Sequence, residues 1–147
     1  MAAAAFLYNS WRSYSQRGVN LRTGAIKATL HNSSYTPSVT TQTAYADLTN
    51  ELATNFGYSN GGLALSSVLW TQSGATVALT ASPTIWNCTG SNLVARYCVV
   101  RYVGTVDSLV DPLMLYVLMD TVPADITATP GNALTITWNA SGIVVTS

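Results

Sequence analysis

Residues 94–103 read VARYCVVRYV, and this stretch decides the fold class. In an extended conformation, Ala95 and Val99 face one side of the strand while Cys98 and Val100 face the other. Because apolar side chains fall on both sides, the pattern indicates a strand at the centre of a sheet, covered on both faces.

A second stretch, AIKATL at residues 25–30, shows the pattern of a strand with only one buried face. Its apolar residues Ile26, Ala28 and Leu30 alternate with Lys27 and Thr29. Strict alternation predicts a β-strand with one face on the core and the other toward solvent.

The remaining apolar segments extend this pattern along the chain. Residues 113–119 are continuously apolar, which indicates either a strand covered on both faces or a short buried helix. Shorter alternating stretches occur at 76–80, 85–88, 134–138 and 143–145. Turn-rich segments separate them and leave about eight short strands, the spacing of a sandwich or barrel. We therefore predict an all-β fold, an antiparallel β-sandwich of jelly-roll-like arrangement, as a single domain over residues 1–147.

The strongest turn signal is GYSNGG at residues 57–62. Gly57, Gly61 and Gly62 allow positive φ angles without steric cost, and Tyr58 lies between them. The segment is not a phosphate-binding loop, because the Lys-Ser/Thr pair that contacts phosphate is missing. We predict a structural turn.

The N-terminal segment differs from the rest in its periodicity. Trp11 and Tyr14 follow helical spacing within residues 6–17, and Gly18 is placed to end a helix there. One interpretation makes residues 1–17 a helix or arm that docks on a partner. The other makes this helix a cover over one end of the chain's own sheet.

Composition indicates a protein that associates. Only 8% of residues are charged, with six basic and six acidic side chains and a formal net charge of zero, against about 25% in ordinary domains. Polarity comes instead from 15 Ser and 20 Thr. A net charge near zero removes most of the repulsion that keeps copies apart. We expect neither an export signal nor a membrane-spanning segment, because the longest apolar runs are short and interrupted.

Basic and acidic residues are unevenly distributed along the sequence. The first 31 residues hold four bases and no acid, whereas four acids and no base follow Arg101. The four early bases are Arg12, Arg17, Arg22 and Lys27. This order favours either complementary contacts with a partner or ion pairs within one fold. Four dispersed cations are a weak footprint for nucleic acid, which we do not expect as a partner.

The residues that carry chemistry are scarce. His31 is the single histidine; it ends a predicted strand beside the loop at 32–42, and we interpret it as a surface residue. Two cysteines, Cys88 and Cys98, with one histidine do not make a zinc site. They are either a disulfide pair or two small buried side chains. We predict no enzyme activity, no metal and no cofactor.

Five segments, in this order, resemble small structural proteins of tailed-bacteriophage virions of the head decoration or cement type. The segments are FLYNSW at 6–11, AIKATLHNSSYTP at 25–37, DLTNE at 47–51, GYSNGG at 57–62 and LTITWNASGI at 134–143. The resemblance implies a β-sandwich on the outer capsid lattice, often trimeric, that ties major capsid subunits together. It carries no active-site residue onto this chain.

We therefore expect a capsid decoration protein at the virion surface, assembled in the host cytoplasm, with the major capsid protein and copies of itself as partners. Trp11, Arg12 and Tyr14 are the predicted docking residues, since Trp, Tyr and Arg dominate binding hot spots. Two alternatives stay open: a tail or baseplate component, and a carbohydrate-binding module that uses Trp70 or Trp86.

Overall fold

A computed structural model describes residues 3–17, 19, 21 and 25–146. Strands predominate, all strand pairs are antiparallel, and one short α-helix lies near the N-terminus. The predicted all-β class with a short N-terminal helix is confirmed.

The described residues contain fourteen strands, where the sequence indicated about eight. Many of the additional strands have only two to four residues, too few for a periodic pattern. The strands are β1 Ala4–Leu7, β2 Ala25–His31, β3 Leu63–Ala64, β4 Leu69–Ser73, β5 Thr76–Thr80, β6 Thr84–Asn87, β7 Leu93–Ala95, β8 Tyr97–Val103, β9 Thr105–Val106, β10 Leu109–Val110, β11 Leu113–Leu118, β12 Ile126–Ala128, β13 Ala133–Ile136 and β14 Val144–Thr146. The helices are α1 Asn9–Tyr14 and a 3₁₀ turn, Tyr45–Asp47.

The largest sheet has five strands in the order β1-β11-β8-β2-β3. Most of the stretch 94–103, predicted to be one central strand, forms β8, which lies between β11 and β2 and is buried on both faces from Cys98 to Arg101. The prediction is wrong for Val94 and Ala95, which belong to β7 and pair with β12 instead. The continuously apolar segment is the strand β11, so the buried-helix alternative is wrong.

The other strands form four small antiparallel sheets: β4-β5-β14, β6-β13, β7-β12 and β9-β10. Their buried residues, including Leu79, Trp86 and Leu134, join Ala28 and Val100 of the large sheet in one hydrophobic cluster. Sheets that pack on sheets in this way bury one face of each.

The two faces of the five-stranded sheet have different surroundings. Ala28 and Val100 share the inner face, which contributes to this cluster. Thr29 and Val99 share the outer face, where Thr29 is fully buried although alternation predicted exposure. Residues 32–50 account for that burial, since Tyr35 of this segment is itself buried. Its ring centre lies 4.6 Å from that of His31, two residues beyond Thr29, with the ring planes tilted by 35°.

The N-terminal helix is shorter than predicted. It covers Asn9–Tyr14 rather than residues 6–17, because Phe6 and Leu7 pair with Tyr116 and Leu115 as part of β1. Gly18, predicted to end the helix, lies outside the described residues.

Candidate interaction surface

The N-terminal segment is part of the sheet rather than a separate arm. Residues Ala4–Leu7 pair with β11 along their whole length, and the Tyr8 amide donates to the Met114 carbonyl at 3.1 Å. The Asn9 amide then donates to the Val39 carbonyl at 2.9 Å. The interpretation of residues 1–17 as a docking arm is therefore wrong for residues 4–9. The alternative, a helix that covers one end of the sheet, does not describe residues 4–7 either, because they form an edge strand of the sheet itself.

The three predicted docking residues are in different environments. Trp11 is only 2% exposed and belongs to the hydrophobic core, so its ring offers almost no surface to a partner. Arg12 is exposed, and Tyr14 is half-buried with the Arg17 guanidinium 5.8 Å from its ring centre. The prediction for Trp11 fails because its indole fills space between α1 and the core, which helical spacing alone could not distinguish from an outward anchor.

A groove of about 520 Å³ lies beside α1. Trp11 and Arg12 line it from the helix, and Leu7, Trp70 and Val145 line it from the strands. Within the described part of the chain, no carboxylate lies within ion-pair distance of Arg12. The groove thus combines apolar walls with one exposed cation at its rim.

A second groove, of about 460 Å³, lies near the other end of β1. Ala3, Val117 and Met119 line it on the side of the large sheet, and residues of β12 and β13, including Leu134 and Ile136, line it opposite. The two grooves reach β1 at its two ends, Ala3 in one case and Leu7 in the other.

A row of aromatic rings crosses the outer face of the sheet next to β1. Phe6 stacks on Tyr116 with 4.9 Å between ring centres and 22° between planes. Tyr97 lies edge-on to Tyr116 at 6.3 Å and to Tyr35 at 5.5 Å. Phe6 is 43% exposed, so the row emerges from the core at the β1 edge.

The predicted turn at residues 57–62 is present and has a definite structural role. Gly57, Gly61 and Gly62 have φ angles of 92°, 92° and 80°. A Cβ at Gly57 would overlap the Asn87 carbonyl, and one at Gly62 would overlap the Ala28 carbonyl. The turn therefore needs glycine at these two positions for space as well as for conformation.

Glu51 fixes this turn through hydrogen bonds to two of its residues. Its carboxylate accepts hydrogen bonds from the hydroxyls of Tyr45 and Tyr58 and, at 2.7 Å, from the Gly61 amide. Tyr58 is buried, and its hydroxyl also accepts a bond from the Leu30 amide at 3.2 Å. Burial, reinforced by the bond to Glu51, raises the pKa of Tyr45 to about 12 and that of Tyr58 further.

Arg101 connects the turn to Asp111, between β10 and β11. Its buried guanidinium donates to Asp111 at 2.9 Å and to the Gly61 carbonyl at 2.8 Å, and it lies 3.7 Å from the centre of the Tyr45 ring. Asp111 also accepts a bond from the Gly104 amide at 2.9 Å. Nothing local in the sequence marked this cluster, because its members lie far apart along the chain.

His31 is not a surface residue, as we had interpreted it, but is fully buried. Its Nδ1 is 2.8 Å from the Thr49 carbonyl oxygen and its Nε2 is 3.0 Å from the Thr29 hydroxyl. Burial lowers the pKa of the imidazole, although the Thr49 carbonyl and the nearby Glu51 act in the opposite direction. The ring is a core group without an exposed nitrogen for catalysis.

The carboxylates are all engaged within the chain. Three pair with arginines: Asp107 with Arg17 at 2.9 Å, Asp125 with Arg96 at 2.8 Å, and Asp111 with Arg101 at 2.9 Å. The other three accept hydrogen bonds from neutral groups: Asp47 from the Thr43 and Ala44 amides, Asp120 from the Val122 amide, and Glu51 as described. The basic and acidic parts of the sequence thus meet within one fold at the Arg17–Asp107 pair, while Arg22 lies outside the described residues.

Both cysteines are free and buried, so the disulfide alternative is wrong. The Cys88 thiol donates to the Ser91 and Ala128 carbonyls, and burial raises the pKa of Cys98. Among the described residues no group of three or more His, Cys, Asp or Glu side chains could hold a metal ion.

The two tryptophans of the carbohydrate-binding alternative do not form a platform for a sugar. Trp86 is 3% exposed and belongs to the core, so it is excluded as a stacking surface. Trp70 is half-buried in the wall of the groove beside α1.

Comparison with models of known families, with curated proteins and with solved structures found no match. No helix in the described part of the chain is long and apolar enough to span a membrane.

Proposed function

We propose that this chain is a capsid decoration or cement protein of a tailed bacteriophage. In this role it binds the lattice of the major capsid protein on the outer surface of the virion, and copies of the chain also contact one another. The capsid assignment rests on the five segments that resemble such proteins. The more general role, adhesion to protein surfaces without catalysis, rests on the surface itself.

The observation that carries the proposal is the engagement of all six carboxylates within the chain. Carboxylates that already have partners within the chain, on a surface whose polarity comes mostly from hydroxyls, lose less hydration energy than free ones when another protein covers them. Several apolar side chains are exposed on it as well, among them Leu69, Val110 and Val122. Such a surface favours contact with neighbours in an ordered array.

Arg12 and Tyr14 remain in the proposed interface, together with the groove beside α1. Arg12 is exposed at the groove rim, and an exposed arginine next to apolar walls is a common binding anchor. Trp11 acts indirectly, because its buried indole holds α1 in place. A lattice then multiplies weak contacts of this kind through avidity.

The direct test is cosedimentation of the purified chain with heads, and separately with tails, of the phage that encodes it. We expect saturable binding to heads. Binding to tails alone would replace this proposal with the tail or baseplate alternative, and binding to neither would overturn both.

A matched pair of variants tests the interface. Arg12→Ala should weaken binding to heads at least tenfold, because it removes the exposed anchor without touching the core. Arg96→Ala is the control, since Arg96 already pairs with Asp125 and does not line the groove. Equal binding of both variants and the wild type would remove Arg12 from the interface.

A further inference from the structure

We propose that the free edge of β1 is a self-association site, at which β1 of a second copy pairs antiparallel across a two-fold axis through Phe6. This contact rests on the part of the proposed function that makes copies of the chain partners, and it can be tested without capsids. A two-fold contact is compatible with trimers, because it can join copies that belong to neighbouring trimers.

The hydrogen bonds of β1 define which groups face outward. Tyr8 is a hydrogen-bonded partner of Met114, because its amide donates to that carbonyl. In an antiparallel pair such positions alternate, so Phe6 and Ala4 also bond to β11. The amides and carbonyls of Ala5 and Leu7 therefore point away from β11.

The open part of the edge ends at Asn9, the first residue of α1, whose amide donates to Val39 of the segment 32–50. Among the described residues, no strand pairs with β1 on the side away from β11, since β1 ends the sheet order. Ala5 and Leu7 thus present two donors and two acceptors at an open edge.

This edge lacks the usual protection against strand addition. Exposed edge strands are normally blocked by charged residues, proline or a bulge. Residues 3–11 contain no charged residue and no proline, and the β1–β11 register has no shift.

A second copy fits the edge with the two-fold axis at Phe6. With the axis at Phe6, Ala5 lies opposite the partner's Leu7, and Leu7 lies opposite the partner's Ala5. The two pairs form four main-chain hydrogen bonds. Phe6 and the partner's Phe6 then form a close pair on the outer face, with about 5 Å between Cβ atoms.

Charge and shape favour a second copy over a different partner. Two identical charged edges would repel each other, whereas this edge is neutral over residues 3–11 and the whole chain has zero formal net charge. The exposed Phe6 ring, stacked on Tyr116, gains an aromatic neighbour of the same kind across the axis. The result is a continuous ten-stranded sheet.

The contact is small. A ladder of four residues per copy covers much less than the roughly 1,600 Å² of a stable interface. We therefore expect dimers that form reversibly as concentration rises, and that become significant where a lattice holds copies close together.

Sedimentation velocity over a concentration series up to about millimolar tests the contact. We expect wild-type protein to shift from monomer to dimer. Phe6→Lys, which places two like charges opposite each other, should weaken dimerisation at least tenfold. Leu69→Lys is the matched control, because Leu69 is also an exposed apolar strand residue but lies in β4.

A second variant acts on the backbone alone. Ala5→Pro removes an outward amide that makes no bond within the sheet, so it should abolish dimers and leave the fold intact. Ala4→Pro removes an inward amide bonded to β11, and it should lower stability instead.

Amide hydrogen exchange supplies a readout that folding alone does not change. Protection of Ala5 and Leu7 should increase with protein concentration, while that of Phe6 should stay constant. Wild-type protein that is monomeric throughout, or dimers that persist in both Phe6→Lys and Ala5→Pro, would overturn the proposal. Monomeric protein that still binds heads would refute only this contact, and dimers that ignore heads would refute only the capsid assignment.

Discussion

The five-stranded sheet has two edges, and they end in different ways. At one edge, β3 has only two residues, and the turn at 57–62 lies so close to β2 that a Cβ at Gly62 would overlap the Ala28 carbonyl. Below that turn, Glu51 and Arg101 hold Gly61 through its amide and its carbonyl. At the other edge, β1 presents open main-chain groups and the exposed ring of Phe6.

The difference shows what closing an edge requires. The β3 edge uses two glycines at positive φ, a buried ion pair and a carboxylate with three donors, all of which are costly to bury unless each is satisfied. The β1 edge has none of these. An unprotected edge makes a free monomer prone to aggregation, but it allows a protein in an assembly to pair with its neighbours.

The largest expected effect on stability comes from a core residue next to β1, the open edge of the sheet. Trp11→Ala should lower the free energy of unfolding by about 4 kcal/mol, since it leaves a cavity in the core beside β1. Arg12→Ala, one residue away and exposed, should leave stability nearly unchanged. Urea unfolding of both variants decides whether the N-terminal segment is part of the fold; equal, small effects would restore the docking-arm interpretation.

At the β3 edge, adding a single methyl group to a glycine of the turn should lower stability. Gly62→Ala should cost about 3 kcal/mol, because the new Cβ meets the Ala28 carbonyl at a positive φ. Gly61→Ala has a similar φ but open space around it, so only the conformational cost of about 1 kcal/mol remains. Equal losses in denaturant titrations of the two variants would mean that the close approach to β2 is unimportant.

The ion pair at the closed edge should matter more than the one at the surface. Arg101→Met removes one donor from Asp111, which keeps the Gly104 amide, and removes the side-chain donor of the Gly61 carbonyl, so we expect a loss of about 2 kcal/mol. Arg17→Met breaks an exposed pair, whose contribution is close to zero. A thermal unfolding comparison in which Arg17→Met is the more damaging change would contradict this account of the edge.

His31 should make stability depend on pH. Its pKa is lowered in the fold, so below about pH 6.5 the unfolded chain binds the proton first and stability falls as the solution becomes more acidic. The slope can reach about 1.4 kcal/mol per pH unit between pH 6.5 and the folded pKa. Urea titrations at pH 7 and pH 5 should show this loss in the wild type and a smaller one in His31→Gln. Identical losses in both would assign the effect to other groups.

The parts of the fold that the sequence predicted are those with a local signal. The alternation of apolar and polar residues predicted β2, and apolar residues on both faces predicted that β8 lies at the centre of a sheet. The glycines of residues 57–62 predicted the turn. In each case, neighbouring residues contain the whole pattern.

The parts that the sequence did not predict depend on distant partners. Residues Ala4–Leu7 are a strand because β11 pairs with them, although Phe6 and Leu7 fell within the predicted helix. The hairpin of β9 and β10 turns through Asp107 and Ser108, both at positive φ, without the Asn-Gly that usually marks such a turn. His31 is buried because residues 32–50 fold back over the sheet, and that fold-back is a tertiary event.

The candidate interaction surface also depends on distant parts of the chain, so the sequence predicted little of it. Sequence alone could not separate the buried Trp11 from the exposed Arg12, because both fit one helical turn. It also gave no sign of the Phe6 edge, which exists only once β1 has joined the sheet.

The central claim is that a nearly uncharged surface provides adhesion, and the salt dependence of binding to phage heads tests it most directly. Measured between 50 mM and 500 mM salt, the dissociation constant should change by no more than about fivefold, because Arg12 supplies the only proposed charged anchor. A loss of a hundredfold or more over this range would contradict the account, since it would show that charges carry the contact.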